Sequence, residues 1–268
     1  MLEVTFSLHD YLHPKKLNPC SKHRPYIIAT TQRSGSTLLS DLLLQTGICG
    51  QPGEYLTDSF VARNDDLLKF CGNNPINKKL KSYVDHIYSC YHSNNDISGL
   101  KITWDQVLKI CHDLQIPFPR RNCLKNSFKY YFGSPKIIFL RRANIVSQAI
   151  SKYLAFQTNK WHSWDKENQD VQIDFSSTSI ISIINEINSH NEGWSNLFES
   201  CNLQFINVFY EELCLSPLDI IKNVIEFIHE DNVTLKNVPN KSIKPVNSVL
   251  KSEFESKFMK ELYKDHTY

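Results

Sequence analysis

The stretch Tyr26-Ile27-Ile28-Ala29-Thr30-Thr31-Gln32-Arg33-Ser34-Gly35-Ser36-Thr37 decides the architecture. Tyr26 to Thr31 is an apolar, partly β-branched run that ends in a polar turn, so it reads as a short buried strand. Ser36 to Gln45 then reads as a helix with Leu38, Leu39, Leu42 and Leu43 on one flank and Gly47 as its stop. A strand that passes through a short glycine turn into a helix aims backbone N–H groups and a helix N-terminus at one point, which suits an anion. Gly35 lets the backbone approach closely, and Ser36 and Thr37 add hydroxyl donors.

The alternation continues outward from this unit. Ser98 to Thr103 reads as a strand and Trp104 to Leu114 as a helix; Pro117 and Pro119 interrupt, and another helix can start near Asn122. Lys136 to Leu140 is the clearest strand, with Arg141 and Arg142 at its carboxyl end. Helical spacing recurs over Ala143 to Gln157 and Ile180 to Phe198, and Leu203 to Phe209 reads as a strand. Ser216-Pro217 opens a helix as N-cap and first-turn proline, and Lys241 to Ser252 reads as a polar loop before a short charged helix. Strands alternating with helices predict a mostly parallel sheet covered on both faces, with ligands beyond the carboxyl ends of the strands. The expected fold is α/β, a P-loop NTPase-like three-layer sandwich, as one domain over residues 1–268.

Composition narrows the function classes. With 268 residues, 41% hydrophobic and 22% charged, the chain has the make-up of a globular protein with a sizeable core. A formal charge of +2 provides no broad basic field, so nucleic acid is not an expected partner, while a local basic pocket for a small anion is allowed. No apolar run reaches the roughly 18 to 20 residues that span a bilayer. Glu3, Asp10 and His13 interrupt the start of the chain, so the expected location is the cytoplasm. The eight cysteines form no C-x-x-C pair and read as small hydrophobes in a reducing compartment. His86, Cys90 and His92 are metal-like residues without a fourth ligand or a closed spacing, so no metal is expected.

The anion loop lacks what a nucleoside triphosphatase needs. A Walker A loop would require glycine at Thr30 and lysine at Ser36; here the cation is Arg33, earlier in the turn. The expected donor is therefore a nucleotide with no γ-phosphate to hold. Gln32-Arg33-Ser34-Gly35-Ser36-Thr37-Leu38-Leu39 resembles the 5′-phosphosulfate loop of sulfotransferases that use 3′-phosphoadenosine 5′-phosphosulfate (PAPS). It is especially similar to that of the bacterial Stf0-type, trehalose 2-sulfotransferase-like family. A second block, Leu140-Arg141-Arg142-Ala143-Asn144-Ile145-Val146-Ser147-Gln148-Ala149-Ile150-Ser151, resembles the family's 3′-phosphate site. Ala155 to Trp161 and Ser98 to Gln106 resemble two further segments, so the likeness spans about Tyr26 to Trp161.

The resemblance implies a PAPS-dependent carbohydrate sulfotransferase, with adenosine 3′,5′-bisphosphate (PAP) as product and no metal required. It places Arg33, Ser34, Gly35, Ser36, Thr37, Arg142, Ser147 and Ser151 on the donor, with Ser147 and Ser151 sharing a helical face so that either can reach the 3′-phosphate. It assigns Glu54, in Gly50-Gln51-Pro52-Gly53-Glu54, as the base that takes the acceptor proton, and Arg33 as the cation on the leaving oxygen. Lys101 and Gln106 are acceptor-side candidates. Tyr55, Trp104 and Trp161 read equally as sugar platforms or as core aromatics. Lys251 is a further candidate for a phosphate contact, and His162 is not preferred over Glu54 as base. The implied acceptor is a small sugar, a glycolipid or a polysaccharide, with residues 61–95 as a variable acceptor-side insertion, 241–268 as a C-terminal loop and helix, and a homodimer as a possible assembly. The competing readings are a P-loop phosphotransferase and a non-catalytic nucleotide- or glycan-binding homologue.

Overall fold

The computed structural model describes residues 12–20, 22–76, 79–117, 121–165, 172–229, 239–240 and 248–264. Four strands form one sheet: β1 (Arg24–Thr30), β2 (Ile97–Thr103), β3 (Lys136–Arg141) and β4 (Phe205–Phe209). Their order is β2-β1-β3-β4 and every pairing is parallel. The register sets Thr30 beside Thr103 and Leu140, and Arg141 beside Phe209, so the carboxyl ends of all four strands share one edge. The chain leaves β1 toward β2 and then crosses back to β3. The connections after β1 and β3 therefore part company there and open a crevice.

The buried run of β1 serves two cores at once. Ile27 and Ala29 face a large cluster containing Leu100, Ile102, Ile137 and Phe139, while Tyr26 and Ile28 face a second with Ile138, Leu140 and Val208. Such two-sided burial is what a central parallel strand requires. On the second face lie α1 (Ser36–Gln45), α9 (Tyr210–Leu215) and α10 (Pro217–His229). The first face is covered by α2 (Asp58–Val61), α3 (Asp65–Cys71), α4 (Leu80–Cys90), α5 (Trp104–Asp113), α6 (Arg121–Phe132) and α8 (Ser177–Cys201). A satellite core joins α7 (Ile145–Thr158), α8 and α11 (Ser248–Lys264).

Two expectations need correction. The helix α11 begins at Ser248, so residues 248–252 are helical rather than loop; residues 241–247 lie outside the described residues. The fold is an α/β sandwich with a parallel sheet flanked by helices, but it is not a P-loop NTPase fold. The turn after β1 carries no lysine for a γ-phosphate, and its cation, Arg33, sits on a left-handed residue at φ 64°. No described helix is long and apolar enough to cross a membrane.

Candidate active site

The crevice at the carboxyl edge of the sheet is a cavity of about 850 Å³, large enough for a nucleotide and part of an acceptor. One end is lined by Gln32, Arg33, Gly35, Ser36 and Thr37 of the anion loop, with Arg142, Ser151, Tyr210 and Lys251. The other is lined by Glu54, Thr57, Ser59, Thr103, Asp105, Gln106 and Lys109, with Trp161, His162 and Trp164 completing the wall.

The loop is shaped from below. Thr30 Oγ1 donates to the Leu140 carbonyl at 3.1 Å and forms a short hydrogen bond with the Ser34 hydroxyl. Ser34 is fully buried, so its side chain is committed to the scaffold rather than to the cavity. Gln148 of α7 donates to Thr31 Oγ1 at 2.8 Å and to the Gln32 carbonyl at 2.7 Å, tying the loop to the next element. Trp194 of α8 donates its indole N–H to the Thr30 carbonyl at 2.8 Å. Gly35 has φ 92°, and a Cβ there would lie 2.1 Å from Tyr210 Cδ2, so both backbone and space demand glycine.

Three cations converge on the loop. Arg33 Nε donates to Ser151 Oγ at 3.0 Å and Arg33 also bonds the Trp161 carbonyl. Arg142 donates to Ser147 Oγ at 3.1 Å and stacks 4.4 Å from the Tyr210 ring. Burial, and next the charge of Arg142, push the Arg33 guanidinium down to about 10. Burial also lowers the Lys251 ammonium, reinforced by Arg142 and eased by Glu255 at 3.4 Å. Cations held in one another's field are stabilised by an anion placed between them. Gln32 Oε1 is buried without a hydrogen bond at the same end. Three cations, Arg33, Arg142 and Lys251, with the hydroxyls of Ser36, Thr37 and Ser151 on the same cavity wall, fit a polyanionic nucleotide.

Glu54 is positioned by the sheet. Gly53 bridges to Leu100, and Lys101 N–H donates to the Gly53 carbonyl at 2.9 Å, so the Gly50–Glu54 loop runs along the outer side of β2. The loop turns at Gly50 (φ 68°), where a Cβ would meet the Ile97 carbonyl at 2.4 Å. Lys101 Nζ lies 2.6 Å from Glu54 Oε1; the lysine is fully buried while the carboxylate side chain is 23% exposed. Burial pushes the Glu54 carboxyl up, and the charge and hydrogen bond of Lys101 more than offset that, so it titrates below the usual range. Glu54 is thus an ionised carboxylate facing the cavity.

Several sequence-derived candidates take other places. Tyr55 is fully buried, donates to the Gln51 carbonyl at 2.6 Å and packs on Phe60 and Tyr91. Trp104 packs edge-on against Trp194 and over Gly193. Both are core aromatics, whereas Trp161 lines the cavity. Gln106 lines the cavity and also closes the capping box of α5 with Thr103. Ser147 and Ser151 divide between the two arginines, and Ser151 is the one at the cavity surface. Among the described residues, none of those lining the cavity comes from 61–95. The His86, Cys90 and His92 triplet is not assembled: His86 Nδ1 lies 3.7 Å from Cys90 Sγ, while the His92 ring sits on the Asn18 and Ser93 carbonyls.

Sequence reasoning missed Tyr210, Glu211, Asp105 and, in the turn that follows the Trp161 candidate, Trp164 and Asp165. Glu211 accepts from the Ala143 and Asn144 N–H groups at 2.9 and 3.2 Å and lies 3.7 Å from Arg142 Nε, fixing the second arginine. Asp165 accepts from the Trp161 and His162 N–H groups, and His162 stacks on Trp164 at 4.4 Å. The available signal for Tyr210 was its place at the carboxyl end of a parallel strand.

The model for Stf0 sulphotransferases matches residues 25–259. The chain belongs to the Stf0 sulphotransferase family. That match overturns the P-loop NTPase assignment. The chain is thereby an enzyme of the sulfotransferase class that uses PAPS. A trehalose 2-sulfotransferase of Mycobacterium tuberculosis (strain ATCC 35801 / TMC 107 / Erdman) is 26% identical over 227 residues, covering 78% of this chain and 85% of that protein. A trehalose 2-sulfotransferase of Mycolicibacterium smegmatis is 26% identical over 225 residues, covering 77% and 84%. A solved sulfotransferase from Alicyclobacillus acidocaldarius covers 89% of this Stf0 chain and 92% of its own, at 12% identity and a TM-score of 0.46, too distant to speak for the site.

Proposed function

We propose that this Stf0 family member transfers a sulfonate from PAPS to a hydroxyl of a carbohydrate or glycolipid acceptor, with Glu54 as general base. The observation that carries the reading is that an ionised carboxylate, Glu54, and the cationic loop end share one cavity. The two curated relatives named for trehalose sulfation support a sugar acceptor.

PAPS supplies an activated sulfonate whose bond to the bridging phosphate oxygen breaks as the acceptor oxygen bonds to sulfur. Glu54 accepts the proton the acceptor hydroxyl loses. Arg33, with the loop amides and the Ser36 and Thr37 hydroxyls, stabilises the charge that grows on the departing 5′-phosphate. Arg142, Ser151 and Lys251 hold the 3′-phosphate. Lys101 keeps Glu54 ionised and pointed. This chemistry asks for no metal.

The first test is calorimetric titration with PAP, in parallel with ATP·Mg²⁺ and with Arg142→Ala. The expected outcome is micromolar PAP binding, weakened about tenfold or more in the variant, as loss of a charged hydrogen bond implies. No PAP binding, or preference for ATP·Mg²⁺, would reverse the reading in favour of a phosphotransferase or a non-catalytic homologue.

A further inference from the structure

Behind the acceptor-side wall lies a charged cluster that the donor site does not use. Asp105, in the first turn of α5, lines the cavity with its side chain one-third exposed. His190 of α8 is 8% exposed, with its Nδ1 3.8 Å from Asp105 Oδ1 and its Nε2 3.9 Å from Glu186 Oε1, one turn earlier on the same helix. Lys152 of α7, 2% exposed, places Nζ 2.9 Å from the same Glu186 oxygen. Three helices thus meet in a line, Lys152–Glu186–His190–Asp105, of which only the last member reaches the cavity wall.

Asp105, Glu186 and His190 each offer a ligand atom, all within 4.8 Å of one another. Against a cation there, the two ring nitrogens face different carboxylates and Lys152 already holds a positive charge 2.9 Å from the Glu186 oxygen. Asp105 keeps one-third of its side chain exposed at the cavity, and a carboxylate there gains from a hydroxyl donor delivered by a ligand. The same end carries the hydrogen-bonding groups of Thr57, Ser59 and Gln106, together with Lys109, whose Nζ lies 3.5 Å from Asp58 Oδ2. Such a wall, rich in donors and acceptors, suits a polyhydroxylated molecule.

We infer that Asp105 is a specificity-determining residue that accepts a hydrogen bond from an acceptor hydroxyl, and that His190 is a positioning residue that holds its carboxylate against the wall. The inference deepens the proposed sulfotransferase reading and rests on it. Lys152 holds Glu186 at 2.9 Å, and Glu186 lies 3.9 Å from the far side of the imidazole, backing it toward Asp105.

The test measures initial rates with PAPS and trehalose, then with a panel of disaccharides, beside PAP calorimetry and thermal melts for each variant. Asp105→Ala is expected to raise the acceptor KM about tenfold or more while kcat stays within a few-fold and the PAP Kd is unchanged. Asp105→Asn, which keeps an acceptor oxygen, should recover part of the loss. His190→Ala should raise the same KM, and His190→Gln, which keeps a side-chain donor, should restore much of it; a purely structural role would lower Tm and kcat together without this split. An unchanged KM in Asp105→Ala overturns the inference and leaves the enzyme reading standing, as does an equal loss of PAP affinity. PAP binding without transfer to any sugar of the panel overturns it together with the acceptor class. Failure of the wild-type protein to bind PAP overturns the sulfotransferase reading first.

Discussion

Glu54 shows how one contact sets a chemical state. Without Lys101, burial alone would favour the protonated acid, a poor proton acceptor; with Nζ at 2.6 Å the carboxylate is ionised below its usual range. A depressed carboxyl keeps activity at neutral pH and loses it as pH falls through the native pKa. Lys101→Met is therefore expected to move the acid limb of the kcat/KM profile to higher pH, because burial, which raises the pKa, is then opposed only by the weaker influence of His162 and Arg63. The profile, taken from about pH 4 to 8 with PAPS and trehalose, checks this; an unmoved limb would mean that another group titrates. Gly53 and Leu100 explain why Lys101 is buried although β2 is an edge strand. The Glu54 loop runs along that edge and covers it. No sequence pattern announces this, since the covering loop lies some 47 positions earlier than the lysine.

At the scale of elements, the strand–turn–helix unit from Arg24 to Gln45 works because its turn is braced from three sides, by Thr30, Gln148 and Tyr210. Its ends were legible: α1 spans Ser36–Gln45, as its leucine spacing predicts, and Gly47 follows at φ 70° as the stop. The glycine at 35 has a partner the sequence does not reveal, the Tyr210 ring from α9. Gly35→Ala forces a left-handed backbone on a β-carbon, costing roughly 1–2 kcal/mol, and displaces Tyr210. The expected result is a lower melting temperature and a PAP affinity reduced about tenfold or more, read by thermal melts and calorimetry. Unchanged affinity would show that the loop tolerates rearrangement around Tyr210. The short helix α9 went unread because six residues, Tyr210–Leu215, are too few for a period to register, and β4 runs into it without a break.

For the whole molecule, the first-face core and the anion loop are mechanically one object. Trp194 is fully buried, stacks on Phe198, meets Trp104 edge-on, and spends its N–H on the carbonyl of Thr30 at the root of the loop. Trp194→Phe keeps most of the packing and leaves that buried carbonyl short of a donor, so a loss of about 1–3 kcal/mol in urea-denaturation stability is expected. PAP affinity should fall with it, since the loop loses its brace; a stability loss with no change in affinity would show that Gln148 and Thr30 suffice. The parallel sheet order β2-β1-β3-β4 puts every loop of the site on one edge, so residues from Gln32 to Lys251 can line one cavity.

The amino-acid order alone specified the strand–helix alternation, the anion loop and the absence of a triphosphate lysine, because apolar periodicity and turn chemistry are local. The resemblance at Gln32–Leu39, Leu140–Ser151 and Gly50–Glu54 pointed to the family and to Glu54, Arg33 and Arg142. Packing between distant segments settled the remainder. It sent Tyr55 and Trp104 into the core, turned Ser34 inward, gave Ser147 and Ser151 different arginines, and brought Tyr210, Lys251 and Asp105 to the cavity. Whether an aromatic ring or a serine meets solvent, a neighbour or a ligand depends on which helix covers it, and that follows from the assembled sheet rather than from the residues beside it in the chain.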